Sequence, residues 1–475
     1  MYEIKIGPRD IDRFATLVGA ERVRSLKREA EAIRGLLDGQ AIWNVNSTVH
    51  GGGVAEMLRS LLRYARGLRI DARWAAIQAP PEFFRITKRL HNALHGFAGD
   101  GSPLGAAEAS LYERVLHENV VSMDPLVQPR DIVICHDPQT AGLVPHFSRM
   151  GAFVVWRSHI GEETWSHEVE RGWAFLRPYL QDARVTVFTR ASYAPPWLQQ
   201  GNRAFVVPPN IDPFSAKNQS LDDATVHAIL STVGLIEGPA EPGRAVFLRD
   251  DGSAGRVDRK AEIYRLGCAP GLDVPLVTQI SRWDHMKDPV GVLRGFARLL
   301  EPHAPRGAQL VLAGPTVDSV TDDPESSRVF ADVHHAWRAL PESERSQVHL
   351  AMLPMEDDEE NAAIVNALQR HASVIVQKSL EEGFGLTVTE ALWKRRPVIA
   401  SAVGGIQDQI RDGLDGLLVR DPEDLGEFAA ALTRMLDDAP LAKRLADSGY
   451  ERVRTNFLST VALERWAELV RTIVR

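Results

Sequence analysis

The segment KSLEEGFGLTVTEAL (378–392) holds the most informative combination of residues in the chain. A β-rich run precedes it, and a helix-like run follows two glycines, Gly383 and Gly385. Because glycines let main-chain N–H groups approach a ligand at the positive end of a helix dipole, this turn predicts a diphosphate site. Glu382 and Glu390 flank the turn, and carboxylates accept hydrogen bonds from vicinal hydroxyls. One glutamate can therefore hold a transferred sugar, and the other the ribose of a nucleotide.

Two cationic residues follow another predicted strand, 276–280. They are Arg282 and Lys287, within SRWDHMKDP. Fixed positive charge stabilises a diphosphate as it leaves a breaking glycosidic bond. The pair is therefore expected to do the work that a metal ion does elsewhere, and the predicted metal content of the site is none.

A glycine turn made of Gly51, Gly52 and Gly53 stands between a predicted strand ending at Asn46 and a predicted amphipathic helix. Its main-chain N–H groups could bind a phosphate or a sugar. The alternative is a tight turn without a ligand. The spacing matches neither GxGxxG nor the P-loop, which argues against a dinucleotide dehydrogenase or a P-loop enzyme.

Other candidate sites are weaker. His91 and His95 lie four apart on a predicted helix, but they lack the third ligand of an HExxH motif, so packing is favoured over metal binding. The acidic runs at 322–323 and 357–358 favour solvated surface over a metal-nucleotide site. There is no GxSxG, and the two cysteines form no CxxC pair or disulfide framework.

The elements that must position these residues form two series of short β-rich runs alternating with helix-like segments, which is typical of parallel α/β sheets. A length of 475 residues predicts two domains of roughly 200 residues each. We expect one domain at 1–245 that opens with a polar helical leader (11–37), a second domain at 246–458, and a helix at 459–475. The Gly- and Pro-rich stretch 237–243 and the charged stretch 249–260 suggest the linker. The predicted strands are 41–46, 72–77, 131–135, 153–157, 185–189 and 204–207 in the first series, and 276–280, 309–313, 348–353, 373–376, 397–400 and 416–419 in the second.

The composition excludes several classes of protein. A net charge of −8 with no basic domain argues against nucleic-acid binding. No run of about 18 apolar residues predicts a membrane span, and the amino-terminal residues do not resemble a secretion signal. Together with the absence of a disulfide framework, these features predict a cytoplasmic protein.

The motifs EGFGLTVTEA and SRWDHMKDP resemble the Glu-x7-Glu motif and the Arg/Lys clamp of a large family of retaining glycosyltransferases. Together with WNVNSTVHGGGVAEML, ITKRLHNALHG, ICHDPQTAGL, VWRSHI, PPNIDPFSAKN and VQKSLEEGFGLTVTEALWKRRPVIASAVGGI, they resemble the trehalose glycosyltransferring synthases and the related retaining trehalose phosphorylases. The resemblance runs from about residue 41 to residue 456. It implies a GT-B fold, with two Rossmann-like α/β domains facing each other across a cleft: an acceptor-side domain at 1–245 and a nucleotide-sugar domain at 246–458. By the same resemblance, the helix at 459–475 could cross back onto the first domain.

The resemblance also implies roles for particular residues. Arg282 and Lys287 would bind the diphosphate, Glu390 the ribose and Glu382 the donor glucose. His159 would lie near the transferred sugar, and catalysis would rest on His159, Arg282, Lys287 and Glu382. The remaining donor contacts would come from Gly51, Gly52, Gly53, Gly383, Phe384, Gly385, Leu386 and Thr387, and the acceptor contacts from Asn46, His136, Asp137, Gln139 and His159.

The implied reaction joins nucleoside diphosphate glucose and glucose into α,α-trehalose with retained configuration and no cofactor, the nucleotide sugar being a substrate. The chain departs from the family pattern after His159, where Gly161 precedes Glu162 and Glu163, so another acceptor is left open. A retaining trehalose phosphorylase using glucose 1-phosphate is the nearest alternative. The chain lacks the GxGxxG motif that a nicotinamide-dependent oxidoreductase would need. A non-catalytic sugar-nucleotide sensor would not need the diphosphate clamp of Arg282 and Lys287. A homodimer is also left open.

Overall fold

Two seven-stranded β-sheets, one in each of two units, organise the chain in this computed structural model. The structure describes residues 1–49, 53–199, 204–241, 243–300, 307–317 and 325–474. The first unit is Met1–Asn210 with Phe457–Arg475, and the second is Ile211–Asn456. The predicted α/β class with two parallel-sheet domains is confirmed.

The first unit has seven strands: β1 (Tyr2–Ile4), β2 (Ile42–Asn46), β3 (Ala72–Ala76), β4 (Ile132–His136), β5 (Phe153–Ser158), β6 (Val185–Phe188) and β7 (Ala204–Val206). They lie in the order β1-β3-β2-β4-β5-β6-β7. All neighbours are parallel except β1, which pairs antiparallel with β3 at the edge. Since β4 lies between β2 and β5, the loops that follow these three strands are neighbours at the carboxyl ends of the parallel strands.

Helices cover both faces of this sheet, as parallel sheets require. Up to residue 199 they are α1 (Ala15–Val18), α2 (Ala20–Leu37), α3 (Gly53–Gly67), α4 (Pro81–Leu94), α5 (Ala106–Val120), α6 (Val144–Arg149), α7 (His167–Leu180) and α8 (Pro196–Gln199). Short 3-10 helices occupy Ile11–Phe14, Pro138–Leu143 and Ala191–Tyr193. The predicted leader is thus divided, because Gly19 adopts a φ of 88° between α1 and α2.

The second unit has a similar sheet: β10 (Glu262–Tyr264), β11 (Leu276–Ile280), β12 (Gln309–Pro315), β13 (Val348–Leu353), β14 (Val374–Gln377), β15 (Val398–Ser401) and β16 (Leu417–Val419). Its order is β10-β13-β12-β11-β14-β15-β16, with only β10 antiparallel to its neighbour. A hairpin of β8 (Val246–Leu248) and β9 (Ala254–Arg256) precedes the sheet. This hairpin lies where the sequence suggested a linker.

The described helices of the second unit are α9 (Asp223–Val233), α10 (Pro289–Leu299), α11 (Ser326–Ala339), α12 (Glu342–Arg345), α13 (Asp358–His371), α14 (Leu386–Trp393), α15 (Ile406–Gln409), α16 (Leu425–Asp437) and α17 (Ala439–Asn456). A 3-10 turn spans His285–Lys287. One apolar core lies on each face of the sheet, centred on Val277, Leu310 and Val376 on one face and on Leu276, Val311 and Ile364 on the other.

The helix α18 (Ser459–Val474) belongs to the first unit. Its Leu469, Val470 and Ile473 pack with Ile33 and Leu37 of α2 in the core on one face of the first sheet. The division between the units falls at 210/211 and not at the predicted 245/246, because α9 packs against α13 in the core of the second unit. None of the helices in the described ranges is both long and apolar enough to span a membrane.

Candidate active site

In the first unit, polar residues gather where β2, β4 and β5 end. Asn46 is the last residue of β2, His136 is the last residue of β4, and His159 directly follows β5. The imidazoles of His136 and His159 stack, with centroids 5.3 Å apart and planes at 7°. The structure therefore brings together two histidines that the sequence placed on different loops.

Both histidines are buried, and burial lowers the pKa of each well below its ordinary value. The Arg157 guanidinium lowers both pKa values further. His136 Nε2 lies 3.0 Å from Asn44 Oδ1. At neutral pH both rings are therefore uncharged and available as hydrogen-bonding groups.

Asp137 connects the two strand ends. Its carboxylate accepts the main-chain N–H of His159 at 2.7 Å, and its Oδ2 lies 3.1 Å from His159 Nδ1. Its backbone has a φ of 64° and a ψ of 175°, a region that costs a residue other than glycine about 1–3 kcal/mol. Burial raises the pKa of Asp137 to about 7, against the opposing effects of the His159 N–H and the Arg157 guanidinium. A carboxyl group that titrates near neutrality is thus held in a strained turn beside His159.

Arg157 is a member of this group that sequence reasoning missed. It is fully buried on β5, donates to the Val207 carbonyl at 3.2 Å, and lies 5.2 Å from the Trp466 ring centroid. Burial lowers its pKa to about 10, so it stays cationic at neutral pH. The signal was present, since an arginine interrupts the otherwise apolar run FVVW before Ser158.

Among the imidazole and amide side chains of this group, three buried atoms have no hydrogen-bond partner in the described part of the chain: His136 Nδ1, His159 Nε2 and Gln139 Oε1. Buried polar groups are almost always satisfied, so unsatisfied ones on adjacent loops indicate a place for a polar ligand. Asn46 differs, because its Oδ1 accepts from Trp74 Nε1 at 2.8 Å and its Nδ2 donates to the Thr48 carbonyl at 2.6 Å. Its predicted contact with the acceptor stays a prediction.

The predicted glycine turn is only partly visible. Gly51 and Gly52 lie outside the described residues. Gly53 begins α3, whose Leu58 and Leu61 are buried as the predicted amphipathic pattern requires. A role of this turn in donor binding stays a prediction.

In the second unit, the loop after β11 carries Arg282 and Lys287. The Asp284 carboxylate caps the turn by accepting the Met286 N–H at 2.9 Å, and Gln279 Nε2 donates to the Lys287 carbonyl at 2.6 Å. The Arg282 guanidinium is 3.8 Å from Asp284 Oδ2 and remains 38% exposed, so it can turn toward a ligand. Both cations are held on a rigid loop.

Lys287 and Glu382, which the sequence assigned to different parts of a donor, are in contact. Lys287 Nζ lies 2.5 Å from Glu382 Oε2. The same oxygen accepts from Gln377 Nε2 and from Ser379 Oγ, each at 3.2 Å. Lys287 of the predicted clamp and the predicted sugar-binding carboxylate therefore form one group, an ion pair.

This group stands directly before α14. Gly385 caps the helix with a φ of 84°, and a Cβ there would come within 3.2 Å of Glu382 Cγ. Phe384 is buried, and Thr387 Oγ1 is 3.5 Å from the Ile280 carbonyl at the end of β11. The first N–H groups of a helix have no partner within it, so the amino end of α14 offers donors beside the Lys287–Glu382 pair.

Glu390 lies inside the unit and not on a solvated helix face. It is only 2% exposed, and its carboxylate contacts Lys217 Nζ at 3.1 Å and Gln369 Nε2 at 3.2 Å. Neither Lys217 nor Gln369 was predicted as a site residue from the sequence, because both contacts with Glu390 are tertiary.

Among the described residues, no three His, Cys, Asp or Glu side chains lie together as metal ligands would. The rings of His91 and His95 are in contact, with centroids 4.9 Å apart. Asp357 caps α13 and pairs with Arg249, which holds the pKa of Asp357 down at about 2. The 322–323 pair lies outside the described residues. Cys135 is buried, and burial raises its thiol pKa.

Two family models match the chain. Residues 44–195 match the trehalose synthase N-terminal domain, and residues 269–452 match the glycosyl transferases group 1. A protein named trehalose synthase from Pyrococcus horikoshii is 33% identical over 100% of this chain and 99% of its own length. The chain belongs to the trehalose synthase family.

This trehalose synthase family member is also similar to a trehalose phosphorylase from Pleurotus sajor-caju, at 26% identity over 95% of this chain and 60% of that protein. Among solved structures, an α,α-trehalose-phosphate synthase (UDP-forming) from Burkholderia xenovorans superposes with a TM-score of 0.67. That structure is 16% identical, and the match covers 91% of this chain and 100% of that one. At this identity the likeness shows the fold alone, and it confirms the predicted GT-B fold. The family and its group 1 domain make the protein a trehalose-related glycosyltransferase.

Proposed function

We propose that the protein transfers a glucosyl group from a nucleoside diphosphate glucose to glucose, forming α,α-trehalose with retained configuration. The observation that carries this proposal is the Lys287–Glu382 contact directly before the amino end of α14. A cation, a carboxylate and helix N–H donors together suit a ligand with both a diphosphate and sugar hydroxyls.

In this proposal, the two cations of the second unit hold the leaving diphosphate. A lysine ammonium has three donors, so Lys287 can keep its contact with Glu382 and still reach a phosphate oxygen. Arg282 has room to approach the same group. As the bond between the anomeric carbon and the phosphate oxygen breaks, negative charge grows on that oxygen and is stabilised by these donors. The oxygen then takes the proton of the acceptor hydroxyl, which attacks from the same face of the sugar.

Glu382 orients the sugar in the same mechanism. Its carboxylate is fixed by Lys287, Gln377 and Ser379 on one oxygen. A carboxylate held in this way can accept from donor hydroxyls and favours the positive charge that the sugar gains as the bond breaks. Glu390 is proposed to accept from the ribose.

The first unit supplies uncharged hydrogen-bonding groups for sugar hydroxyls in this proposal. When Asp137 is protonated it can donate to His159 Nδ1, which leaves Nε2 as a donor. When Asp137 is ionised it accepts from Nδ1–H, which leaves Nε2 as an acceptor. Gln139 and His136 add further groups. The acceptor and the transferred sugar are the expected ligands of this cluster.

The test is a panel of UDP-, ADP- and GDP-glucose with glucose and other sugars as acceptors, the product being identified by NMR. We expect α,α-trehalose, formed at an unchanged rate after complete chelation with EDTA because Arg282 and Lys287 replace the metal. A rate lost to EDTA and restored by magnesium would contradict the metal-free mechanism. The similarity to a trehalose phosphorylase supports one alternative: trehalose and phosphate would give glucose 1-phosphate and glucose, and no nucleotide sugar would react.

A further inference from the structure

Lys217 covers the carboxylate of Glu390. Glu390 is 2% exposed, whereas the Lys217 side chain is 23% exposed, and Lys217 Nζ lies 3.1 Å from Glu390 Oε1. The other oxygen, Oε2, is 3.2 Å from Gln369 Nε2. Of the two groups that contact the carboxylate, Lys217 is the one with access to solvent, since Gln369 is fully buried. A ligand that hydrogen-bonds to Glu390 Oε1 therefore comes within reach of the Lys217 ammonium, which lies 3.1 Å from that oxygen.

The segment that carries Lys217 is fixed in place. The neighbouring Asn218 Oδ1 accepts from Lys394 Nζ at 2.9 Å, and the Asn218 carbonyl accepts from Trp393 Nε1 at 3.2 Å. Lys394 Nζ also donates to Gln369 Oε1 at 2.7 Å, and Gln369 in turn contacts Glu390. This closed network joins the segment to α13 and α14. Lys217 is therefore built into the Glu390 site and is not a mobile surface lysine that happens to lie nearby.

We propose that Lys217 and Glu390 together form a diol site, which reads the ribose of the nucleotide. Glu390 accepts from the hydroxyl hydrogens, and Lys217 donates to the oxygen of one hydroxyl. This inference rests on the proposed function, because it assigns the nucleotide to the second unit. It adds a residue that determines affinity for the ribose.

The ion pair persists when the nucleotide is bound. Displacing Lys217 would leave a nearly inaccessible carboxylate without its cation, which is more costly than sharing it. Sharing needs no displacement, because a carboxylate has about four acceptor positions and an ammonium has three donors. A hydroxyl both donates and accepts, so it fits between the two charged groups.

The experiment compares Lys217→Met with the wild type by calorimetry. The ligand is the nucleoside diphosphate that the wild type binds best among ADP, UDP and GDP, together with its 2′-deoxy and 3′-deoxy analogues. We expect the variant to bind the ribonucleotide at least about tenfold more weakly, as the loss of a charged hydrogen bond implies. We also expect the preference for the ribonucleotide over at least one deoxy analogue to fall by a similar factor. The matched control is Lys443→Met, which removes an exposed lysine 2.7 Å from the Asp447 carboxylate and should change neither quantity.

The outcomes separate the inference from the proposed function. If the wild type binds none of the three nucleotides, both fall. If the wild type binds one and Lys217→Met binds it equally well, or loses affinity equally for the ribonucleotide and both analogues, the inference alone is overturned. Equal losses would mean that Lys217 acts only through its charge. If Lys217→Met does not fold, Lys217→Arg keeps the charge but changes the donor geometry, and it must lower the preference for the ribonucleotide; an unchanged preference overturns the inference.

Discussion

Asp137 combines a strained backbone with a carboxyl group that titrates near neutral pH. Residues held in such φ/ψ regions persist only where the surroundings fix them. Here they do, because the Asp137 carboxylate accepts the His159 N–H and the Asp137 carbonyl accepts from Trp156 Nε1 at 3.1 Å. The strained backbone places the carboxylate against His159. The protonation state of Asp137 therefore determines which hydrogen bonds His159 can make.

Asp137→Asn is expected to change how stability depends on pH. Burial raises the pKa of Asp137 to about 7 in the folded protein, above its ordinary value, so the folded state binds this proton more tightly than the unfolded state. Wild-type stability therefore falls as pH rises from about 4 to about 7, by at most roughly 1.4 kcal/mol per pH unit. Asparagine does not titrate, so the variant should gain stability relative to the wild type over this range. Thermal unfolding from pH 4.5 to 8 measures the difference.

The exposed Asp273→Asn is the control for that comparison, and its difference from the wild type should not vary over the same range. A difference between Asp137→Asn and wild type that is constant with pH would show that Asp137 is ionised throughout.

Substitutions of the two glutamates of the Glu-x7-Glu motif should impair different steps, nucleotide binding for one and glucosyl transfer for the other. Glu390→Gln is expected to weaken binding of free nucleoside diphosphate by roughly 1.5–3 kcal/mol, the value of a charged hydrogen bond. Glu382→Gln should leave that binding nearly intact, because Lys287 keeps its charge and loses only its carboxylate partner. Its defect should appear in the rate of glucosyl transfer. Calorimetry and steady-state kinetics measure the two effects, and equal losses of nucleotide affinity would show that the donor is placed wrongly along the motif.

At the scale of elements, the turn before α14 matters most, because it sets Glu382 against the amino end of that helix. Gly385 has a φ of 84°, and Gln409 Nε2 donates to its carbonyl at 3.3 Å. Glycine adopts this conformation without the steric cost that other residues meet. The turn therefore depends on glycine both for its backbone and for the space beside Glu382.

Gly385→Ala should reduce both stability and the rate of glucosyl transfer, the step assigned to Glu382. The left-handed backbone costs alanine roughly 1–2 kcal/mol, and its Cβ would press on Glu382 Cγ at 3.2 Å. Gly413→Ala is the matched control, because Gly413 has a φ of 72° with nothing within 4 Å of the added Cβ. The control should lose stability alone. If both variants show equal steady-state rates of glucosyl transfer, crowding of Glu382 is unimportant.

Sequence patterns predicted all twelve strands of the two parallel series to within two residues, because parallel strands are buried on both faces and appear as apolar runs. They missed β1 and β10, which have three residues each and pair antiparallel at sheet edges. The β8–β9 hairpin was mistaken for a linker. Short strands with exposed residues carry too little apolar pattern to be recognised.

At the site, residue types were predictable but contacts were not. The sequence singled out Glu382, Lys287 and His159. It could not show that Lys287 touches Glu382, since that contact joins residues 95 positions apart. The arginine after the apolar run FVVW marks Arg157 in the sequence, but its contact with the Val207 carbonyl and the contact of Lys217 with Glu390 are tertiary and leave no local pattern.

At the scale of the whole molecule, α18 completes the first unit. Arg22 makes two hydrogen bonds to Glu464, and Arg471 pairs with Glu29, both joining α18 to α2. A cavity of about 70 Å³ lies beneath this contact, lined mainly by apolar side chains. The packing between α18 and the rest of the first unit is therefore incomplete.

Leu469→Ala should destabilise the first unit and spare the second. Leu469 is 1% exposed in the core of the first unit, and such truncations cost about 2–5 kcal/mol. Hydrogen exchange followed by mass spectrometry should show faster exchange in α2 and β4, with β11 and β12 unchanged. Leu414→Ala, at a side chain that is 57% exposed, is the control and should change neither unit. Equally faster exchange in both units would contradict the expectation that Leu469 stabilises only the first unit.

From residue 457 the chain belongs to the first unit again, and this determines which unit is completed last during synthesis. The second unit is one continuous stretch, 211–456, whereas the first is made of two pieces separated by that stretch. When the ribosome has made the first 210 residues, Ile33, Leu37 and Val187 have no α18 to cover them. At roughly 5–20 residues per second, this apolar face waits some tens of seconds for its last helix. The domain that begins first is therefore completed last, and its nascent form exposes this apolar surface until α18 is made.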